Sequence, residues 1–264
     1  MKKYLVIGNP IDHSLSPKLQ NWWLKENNID AKYDKIKLED HEIKNFIQDI
    51  KEQRVAGCNV TVPFKKTVIP FLDKLSPEAE QTQSVNTITY DNGDLIGHNT
   101  DIAGFDTAIK KLDFSIKGKK VLILGAGGVV PSIIFALKNM DVKEIIISNR
   151  TKEKAQILKN LFEGLDIIDW GVLPDFDMIV NATSLGLGKE DNIALNLKNM
   201  NKEKLFYDVI YNPKETNFLR VGKNLGCQVS NGKMMFIYQA FEAFKLWHNI
   251  KPEINEDLKN YLDT

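Results

Sequence analysis

A chain of 264 residues, 43% apolar and 9% aromatic, holds enough material for one large domain or two ordinary ones. Its 35 Lys plus Arg balance 35 Asp plus Glu, and a zero net charge argues against a nucleic-acid partner. Cys58 and Cys227 fit no CxxC pattern and read as free thiols, with no disulfide framework and no metal site; the apolar run at 4–7 is too short for a signal-peptide core, and nothing approaches the ~18 apolar residues of a membrane span, so a cytoplasmic protein without a membrane partner is expected.

Residues 4–8 read as a first strand ending in a glycine turn. Ser16-Pro17 then starts a helix, with Ser16 as N-cap and proline at the first helical position. A strand is expected at 31–36. An amphipathic helix at 39–53 places Ile43, Phe46, Ile47 and Ile50 on one face. The strand at 57–62 stops at Pro63. Short helical pieces at 65–72 and 77–82 precede a hairpin, 86–90 and 94–97, around Asp91-Asn92-Gly93. This alternation is α/β.

A helix at 100–111 leads into a second α/β region, with strands at 121–124, 144–148, 166–169, 177–181, 205–209 and 228–230. Helices are expected at 131–139, 152–162, 234–247 and 252–262. Val121-Leu122-Ile123-Leu124 suits a strand buried on both faces, and Gly125-Ala126-Gly127-Gly128-Val129 then opens an apolar helix. Strand, glycine turn and helix start form a cradle for a pyrophosphate, because backbone N–H groups and the helix dipole both favour an anion. The next strand ends in Asn149-Arg150-Thr151-Lys152, with Lys154 close behind. An NAD site usually has an acid at that tip; Arg150 suits a 2′-phosphate instead, so the charge pattern prefers NADP(H). Asn181-Ala182-Thr183-Ser184-Leu185-Gly186 opens a small-residue loop at the carboxyl edge of the sheet, where nicotinamide or substrate would lie. The expected fold is therefore two α/β domains, the second a Rossmann-type doubly wound parallel sheet.

The first region is rich in small polar residues at turns. Ser14 and Ser16 stand at a helix N-terminus, which favours a carboxylate. Strand alternation sends Asn59 and Thr61 to one side, and Lys65 follows at the edge. Val85-Asn86-Thr87 and Asn99-Thr100-Asp101 are two further polar turns. A carboxylate and an ammonium together can hold and protonate a hydroxyl or ketone.

Together these motifs resemble the shikimate dehydrogenase family. Ser-Leu-Ser-Pro at 14–17, Asn-Val-Thr-Val-Pro-Phe-Lys at 59–65, Val-Asn-Thr at 85–87, Asn-Thr-Asp at 99–101, Gly-Ala-Gly-Gly at 125–128, Asn-Arg-Thr at 149–151, Asn-Ala-Thr-Ser-Leu-Gly at 181–186, Asp-Val-Ile-Tyr-Asn-Pro at 208–213 and Tyr-Gln-Ala at 238–240 occur in the family's order and spacing. The resemblance implies reversible reduction of 3-dehydroshikimate by NADPH to shikimate. It implies that Ser14 and Ser16, helped by Tyr211, bind the substrate carboxylate, and that Thr61, Asn86, Asp101 and Gln239 hold the ring hydroxyls. Lys65 and Asp101 become the catalytic pair at the C3 oxygen, the carboxylate favouring a protonated ammonium and hence an acid for the reduction. Gly125, Ala126, Gly127, Gly128, Val129, Asn149, Arg150, Thr151, Lys154, Thr183, Ile210 and Gly232 are implied to bind the cofactor. The implied layout is a substrate and catalytic domain at 1–101, an NADP domain at 102–233, and helices at 234–264 that return to the first domain, in a monomer or homodimer.

Three positions depart from the family pattern: Val130 where a small residue is usual, and Ile102 and Met234 where glycine is common. Two other readings compete. One is a quinate/shikimate dehydrogenase that prefers NAD, against which Arg150 and the paired serines speak. The other is a non-catalytic dinucleotide-binding relative, against which the Lys65–Asp101 pair speaks.

Overall fold

The structure, a computed structural model, describes residues 1–188, 191, 193, 195, 197 and 200–264. It divides into two compact units, one of residues 1–101 with 239–264 and one of residues 102–238. The chain passes between them within two helices, α4 (Asp101–Lys110) and α8 (Lys233–His248).

The first unit is built on a mixed sheet of β1 (Lys2–Gly8), β2 (Ala31–Lys37), β3 (Gly57–Val60), β4 (Lys74–Leu75), β5 (Thr87–Asp91) and β6 (Asp94–His98), in the order β2-β1-β3-β5-β6-β4. β1 pairs parallel with β2 and β3, and β5 runs antiparallel to β3 and β6. The β5–β6 hairpin turns at Asn92 (φ 50°) and Gly93 (φ 95°), two left-handed residues that match the twist of the strands. α1 (Ser16–Glu26) begins one residue earlier than the capping pattern suggests. Leu15 is its N-cap, and Ser16 lies inside the first turn with its N–H donated to Ser14 Oγ at 3.3 Å. The expected helix at 39–53 is a single 3-10 turn followed by α2 (Ile43–Lys51), and Ile43, Phe46, Ile47 and Ile50 are its buried face. Each such side chain contributes about 1.5–3 kcal/mol by leaving water. α3 (Pro77–Thr82) is capped by Ser76, whose Oγ accepts the Ala79 N–H at 3.2 Å. β4 was not expected; two residues are too few for a period-two signal.

The second unit carries β7 (Lys120–Leu124), β8 (Glu144–Ser148), β9 (Leu165–Ile168), β10 (Met178–Asn181), β11 (Leu205–Asp208) and β12 (Gln228–Ser230), all parallel, in the order β12-β11-β10-β7-β8-β9. Counted within the unit, this is the 3-2-1-4-5-6 order of a Rossmann sheet, with its switch point between β7 and β10. α5 (Val130–Asn139) and α6 (Lys152–Leu161) follow the first two strands. α7 (Asn217–Asn224) escaped the sequence reading, although Thr216 caps it by accepting the Leu219 N–H at 3.3 Å. Apolar residues cover both faces of the sheet: Val121, Ile123 and Val180 on one side, Leu122, Leu124 and Ile179 on the other.

Residues 239–264 pack with the first unit. Gln20 Nε2 donates to Ala240 O at 3.1 Å, and Trp23 Nε1 donates to Glu253 O at 2.9 Å. Trp247 from α8 lies over Gly57 and donates its indole N–H to Ile88 O at 3.0 Å. α9 (Glu256–Leu262) starts where Asn255 Oδ1 accepts the Leu258 N–H at 2.9 Å, which is why the final helix is shorter than the expected 252–262. Among the described residues no helix is long and apolar enough to cross a membrane.

Two outcomes follow from this packing. A Cβ on residue 57 would stand 2.8 Å from Trp247 Cδ1 and must push the indole off Ile88; Gly57→Ala should lower stability in urea unfolding by about 1–3 kcal/mol. His248 packs its ring against Tyr4 and Phe244. Burial, helped by the charge of Lys2, holds its pKa down at about 4 against an ordinary 6.5. The unfolded chain therefore binds the proton that the fold refuses, so stability should be full above about pH 6.5 and fall as pH drops toward 4. Urea midpoints at pH 7.5 and 5 should differ less in His248→Phe than in the parent.

Candidate active site

In the first unit the segment after β3, the entry to β5 and the start of α4 converge on one polar cluster. Lys65 and Asp101, 8% and 6% exposed, form a direct ion pair through Asp101 Oδ2. Asn86, 3% exposed, holds the other carboxylate oxygen: its Nδ2 donates to Asp101 Oδ1 at 2.9 Å, to Thr100 Oγ1 at 2.9 Å and to Gln239 Oε1 at 3.4 Å. The amide cannot turn over, because its Oδ1 accepts the Thr100 backbone N–H at 2.7 Å. Lys65 O in turn accepts the Val85 N–H at 2.8 Å, so the lysine's own backbone is tied to the segment that carries Asn86. Lys65, Asn86, Asp101 and Gln239 are thus brought together.

A second polar layer lies behind them. Tyr33 donates its hydroxyl to Asn59 Oδ1 at 2.6 Å; Asn59 Nδ2 donates to Asn86 O at 3.0 Å and Thr87 Oγ1 at 2.9 Å. Burial pushes the Tyr33 phenol pKa well up, and the neighbouring Ser16 hydroxyl works weakly against this. Tyr33 and Thr87 had no role in the sequence reading. Tyr33 was detectable only as an aromatic hydroxyl on the inward face of β2, and such a group needs a partner when buried. Ser14 and Ser16 are joined by their own hydrogen bond, and Thr61 is half-buried, with its Cγ2 closing on Gly8.

In the second unit the glycine turn packs against the loop after β10. Gly125 has φ +111°, and a Cβ there would meet Ala182 O at 2.8 Å and Thr183 Cγ2 at 3.1 Å. Only glycine fits such a position. Gly127 and Gly128 are exposed where α5 begins, and Ala126 and Val129 are half-buried beside them. At the end of β8, Asn149 Nδ2 donates to Thr151 O at 2.7 Å, while Arg150, Thr151 and Lys154 are exposed. Lys152 pairs with Asp169 at 2.6 Å. A backbone cradle at a helix N-terminus, beside exposed cationic and hydroxyl side chains on the next strand end, fits a dinucleotide with a 2′-phosphate.

Thr183 and Ile210 are placed by Asn181 and Asp208, motif residues to which the sequence assigns no role of their own. Thr183 gives both its N–H and its hydroxyl to Asn181 Oδ1, at 3.1 and 2.7 Å. Ile210 N–H donates to Asp208 Oδ1 at 3.0 Å, and Ile210 O accepts the Gly232 N–H at 3.1 Å. Gly232 lies directly on the Val209 carbonyl, with no room for a side chain. Tyr211 belongs to this unit and stacks on Phe236 at 4.5 Å.

Two family models match the chain: residues 6–88 match the shikimate dehydrogenase substrate binding domain, and residues 106–216 match shikimate/quinate 5-dehydrogenase. The shikimate dehydrogenase (NADP(+)) of Pelagibacter ubique is 55% identical over 262 residues, 99% of each chain. Among solved structures, shikimate dehydrogenase from Aquifex aeolicus superposes with a TM-score of 0.91 at 35% identity, covering 100% of this chain and 97% of its own. The Thermus thermophilus enzyme in complex with NADP(H) and shikimate gives 0.87 at 29% identity, covering 100% and 98%. This chain belongs to the shikimate dehydrogenase family.

Proposed function

We infer that the protein is an NADP-dependent shikimate dehydrogenase, an oxidoreductase that interconverts 3-dehydroshikimate and shikimate in the route to aromatic amino acids. The observation that carries the reading is the buried Lys65–Asp101 pair locked by Asn86. Two desolvated charges are expensive to keep for stability alone, and they suit a site where charge develops on a substrate oxygen.

The residue roles extend that reading. The cofactor, when bound, exchanges a hydride with the substrate carbon. As a ketone is reduced its oxygen becomes an alkoxide, and Lys65 supplies the proton to that oxygen. Asp101 holds the ammonium in place and, with Asn86, Thr61 and Gln239, accepts or donates hydrogen bonds to the ring hydroxyls. Ser14 and Ser16 at the start of α1, with Tyr211, take the carboxylate; a helix N-terminus favours that anion. Gly125, Ala126, Gly127, Gly128 and Val129 face the pyrophosphate, and Asn149, Arg150, Thr151 and Lys154 face the adenosine 2′-phosphate. Thr183, Ile210 and Gly232 line the nicotinamide side. Residues 1–101 then form the substrate and catalytic domain, 102–233 the NADP domain, and 234–264 the returning helices. A cytoplasmic monomer or homodimer completes the proposal; the two free buried cysteines suit a reducing compartment, and a sedimentation measurement reads the assembly.

The deciding assay is shikimate-dependent reduction of NADP, run beside quinate and NAD. NADP with shikimate should be the fastest pair, and no activity on shikimate would return the non-catalytic reading. Lys65→Ala should lower kcat by about 10²–10⁴-fold, the usual worth of a general acid, with little change in NADP affinity; near-normal turnover would remove Lys65 from the chemistry. Arg150→Ala should raise the KM for NADP by roughly ten- to a hundredfold, the loss of a charge-assisted phosphate contact, and leave the rate with NAD unchanged.

A further inference from the structure

Among the described residues one buried carboxylate, that of Asp208, has no part in the chemistry proposed above. Asp208 ends β11 with 0% exposure. Every hydrogen bond it makes is one it accepts: Oδ1 from Asn181 Nδ2 at 3.1 Å and from Ile210 N–H at 3.0 Å, Oδ2 from the Thr216 hydroxyl at 2.6 Å. Thr216 Oγ1 is itself an acceptor for Leu219 N–H, which leaves its proton for Asp208. Both carboxylate oxygens are therefore satisfied by donors, the pattern of an ionised group. Burial pushes its pKa above the ordinary carboxylate value, and these three neutral donors offset only part of that. Among the described residues no lysine or arginine pairs with it. A full negative charge held by dipoles alone is costly inside a fold, and apolar packing would serve stability better.

Its position gives the charge a use. β10 and β11 belong to the second mononucleotide half of the sheet, and ligands lie outside the carboxyl ends of such strands. Asp208 touches the Ile210 backbone directly and reaches Thr183 through Asn181. Both are assigned above to the nicotinamide side, and the inference rests on that assignment. The oxidised nicotinamide ring bears a positive charge and the reduced ring none; the rest of the molecule is the same in both states.

We propose that Asp208 is an electrostatic positioning residue of the cofactor site, whose uncompensated carboxylate makes the chain hold the oxidised, cationic nicotinamide more tightly relative to the reduced, neutral one. Its three donors fix where that charge sits. The carboxylate touches no reacting atom, and its effect is on the balance between the two cofactor states.

The test is equilibrium binding without substrate: NADPH by its fluorescence and NADP⁺ by calorimetry, for the parent, Asp208→Asn and Thr216→Val. Asp208→Asn keeps the shape and removes the charge. It should raise the ratio Kd(NADP⁺)/Kd(NADPH) roughly tenfold, the scale of one partly screened unit charge, with the Kd for NADPH itself within about twofold. Thr216→Val breaks a bond in the same cluster and keeps the charge, so its ratio should stay at the parental value. Asp208→Ser, also neutral, gives the same readout if the asparagine variant does not fold. An unchanged ratio in a folded neutral variant that binds NADPH overturns the proposal, as does an equal shift in Thr216→Val, which would make the cluster a scaffold only. Failure of the parent to bind either nucleotide is a different result: it would defeat the NADP reading itself.

Discussion

The side-chain amide of Asn86 is the constraint on which the polar cluster of the first unit depends. Lys65 and Asp101 are both removed from water, and each bare charge costs several kcal/mol there. Their mutual attraction offsets this only if the carboxylate's second oxygen is also satisfied, and Asn86 Nδ2 does that at 2.9 Å. The Thr100 N–H fixes which way the amide faces. A backbone donor thus decides which oxygen of Asp101 is left for the ammonium. The lysine, the amide and the acid come from positions 65, 86 and 101, so closing the cluster also closes the loops that join β3, β5 and α4.

The glycine-turn region of the second unit is organised by backbone where the polar cluster of the first unit uses side chains. Gly125 lets the turn after β7 meet Ala182 O, and Gly232 lets the entry to α8 rest on Val209. Side chains there mostly hold loops: Asn181 fixes Thr183, Asp208 fixes Ile210, and Thr216 joins Asp208 to the cap of α7. Substrate chemistry needs directed functional groups, whereas a pyrophosphate is recognised well by N–H groups and a helix end. The division explains why the motifs of the first hundred residues speak of a particular small molecule and the glycine turn only of a nucleotide.

Much of this is legible in the sequence. The Rossmann sheet shows itself as runs such as Val121-Leu122-Ile123-Leu124, since a parallel strand buried on both faces needs continuous apolar residues. The α2 face and the Asn92-Gly93 hairpin follow from period and turn chemistry alone. Other features were not readable. α7 has only eight residues, and its glycine and two asparagines weaken any helical signal. The packing of α8 on Gly57 is a contact between residues 190 positions apart in the chain, and no local pattern signals it. The supporting layer of Tyr33, Asn59 and Thr87 was hidden for a similar reason: Tyr33 comes from β2, and nothing local to it says which strand's amide will meet its hydroxyl.

The three departures from the family pattern find a common explanation in where the ligand-facing surface is made. Val130 opens α5 but is fully buried among the apolar residues of the sheet face, so its extra methyl groups fill core and not the nucleotide cradle. Ile102 likewise joins that core from the first turn of α4, at 7% exposure. Met234 packs against the same cluster from the first turn of α8. The glycine that must stay a glycine is Gly232, two residues earlier, where a Cβ would strike the Val209 carbonyl. A position that bears only on packing can exchange glycine or alanine for a larger residue when its neighbours leave the volume. One that sets the approach of two backbones cannot. The chain carries larger residues at positions of the first kind and glycine at Gly125 and Gly232, so both close backbone approaches are open to it.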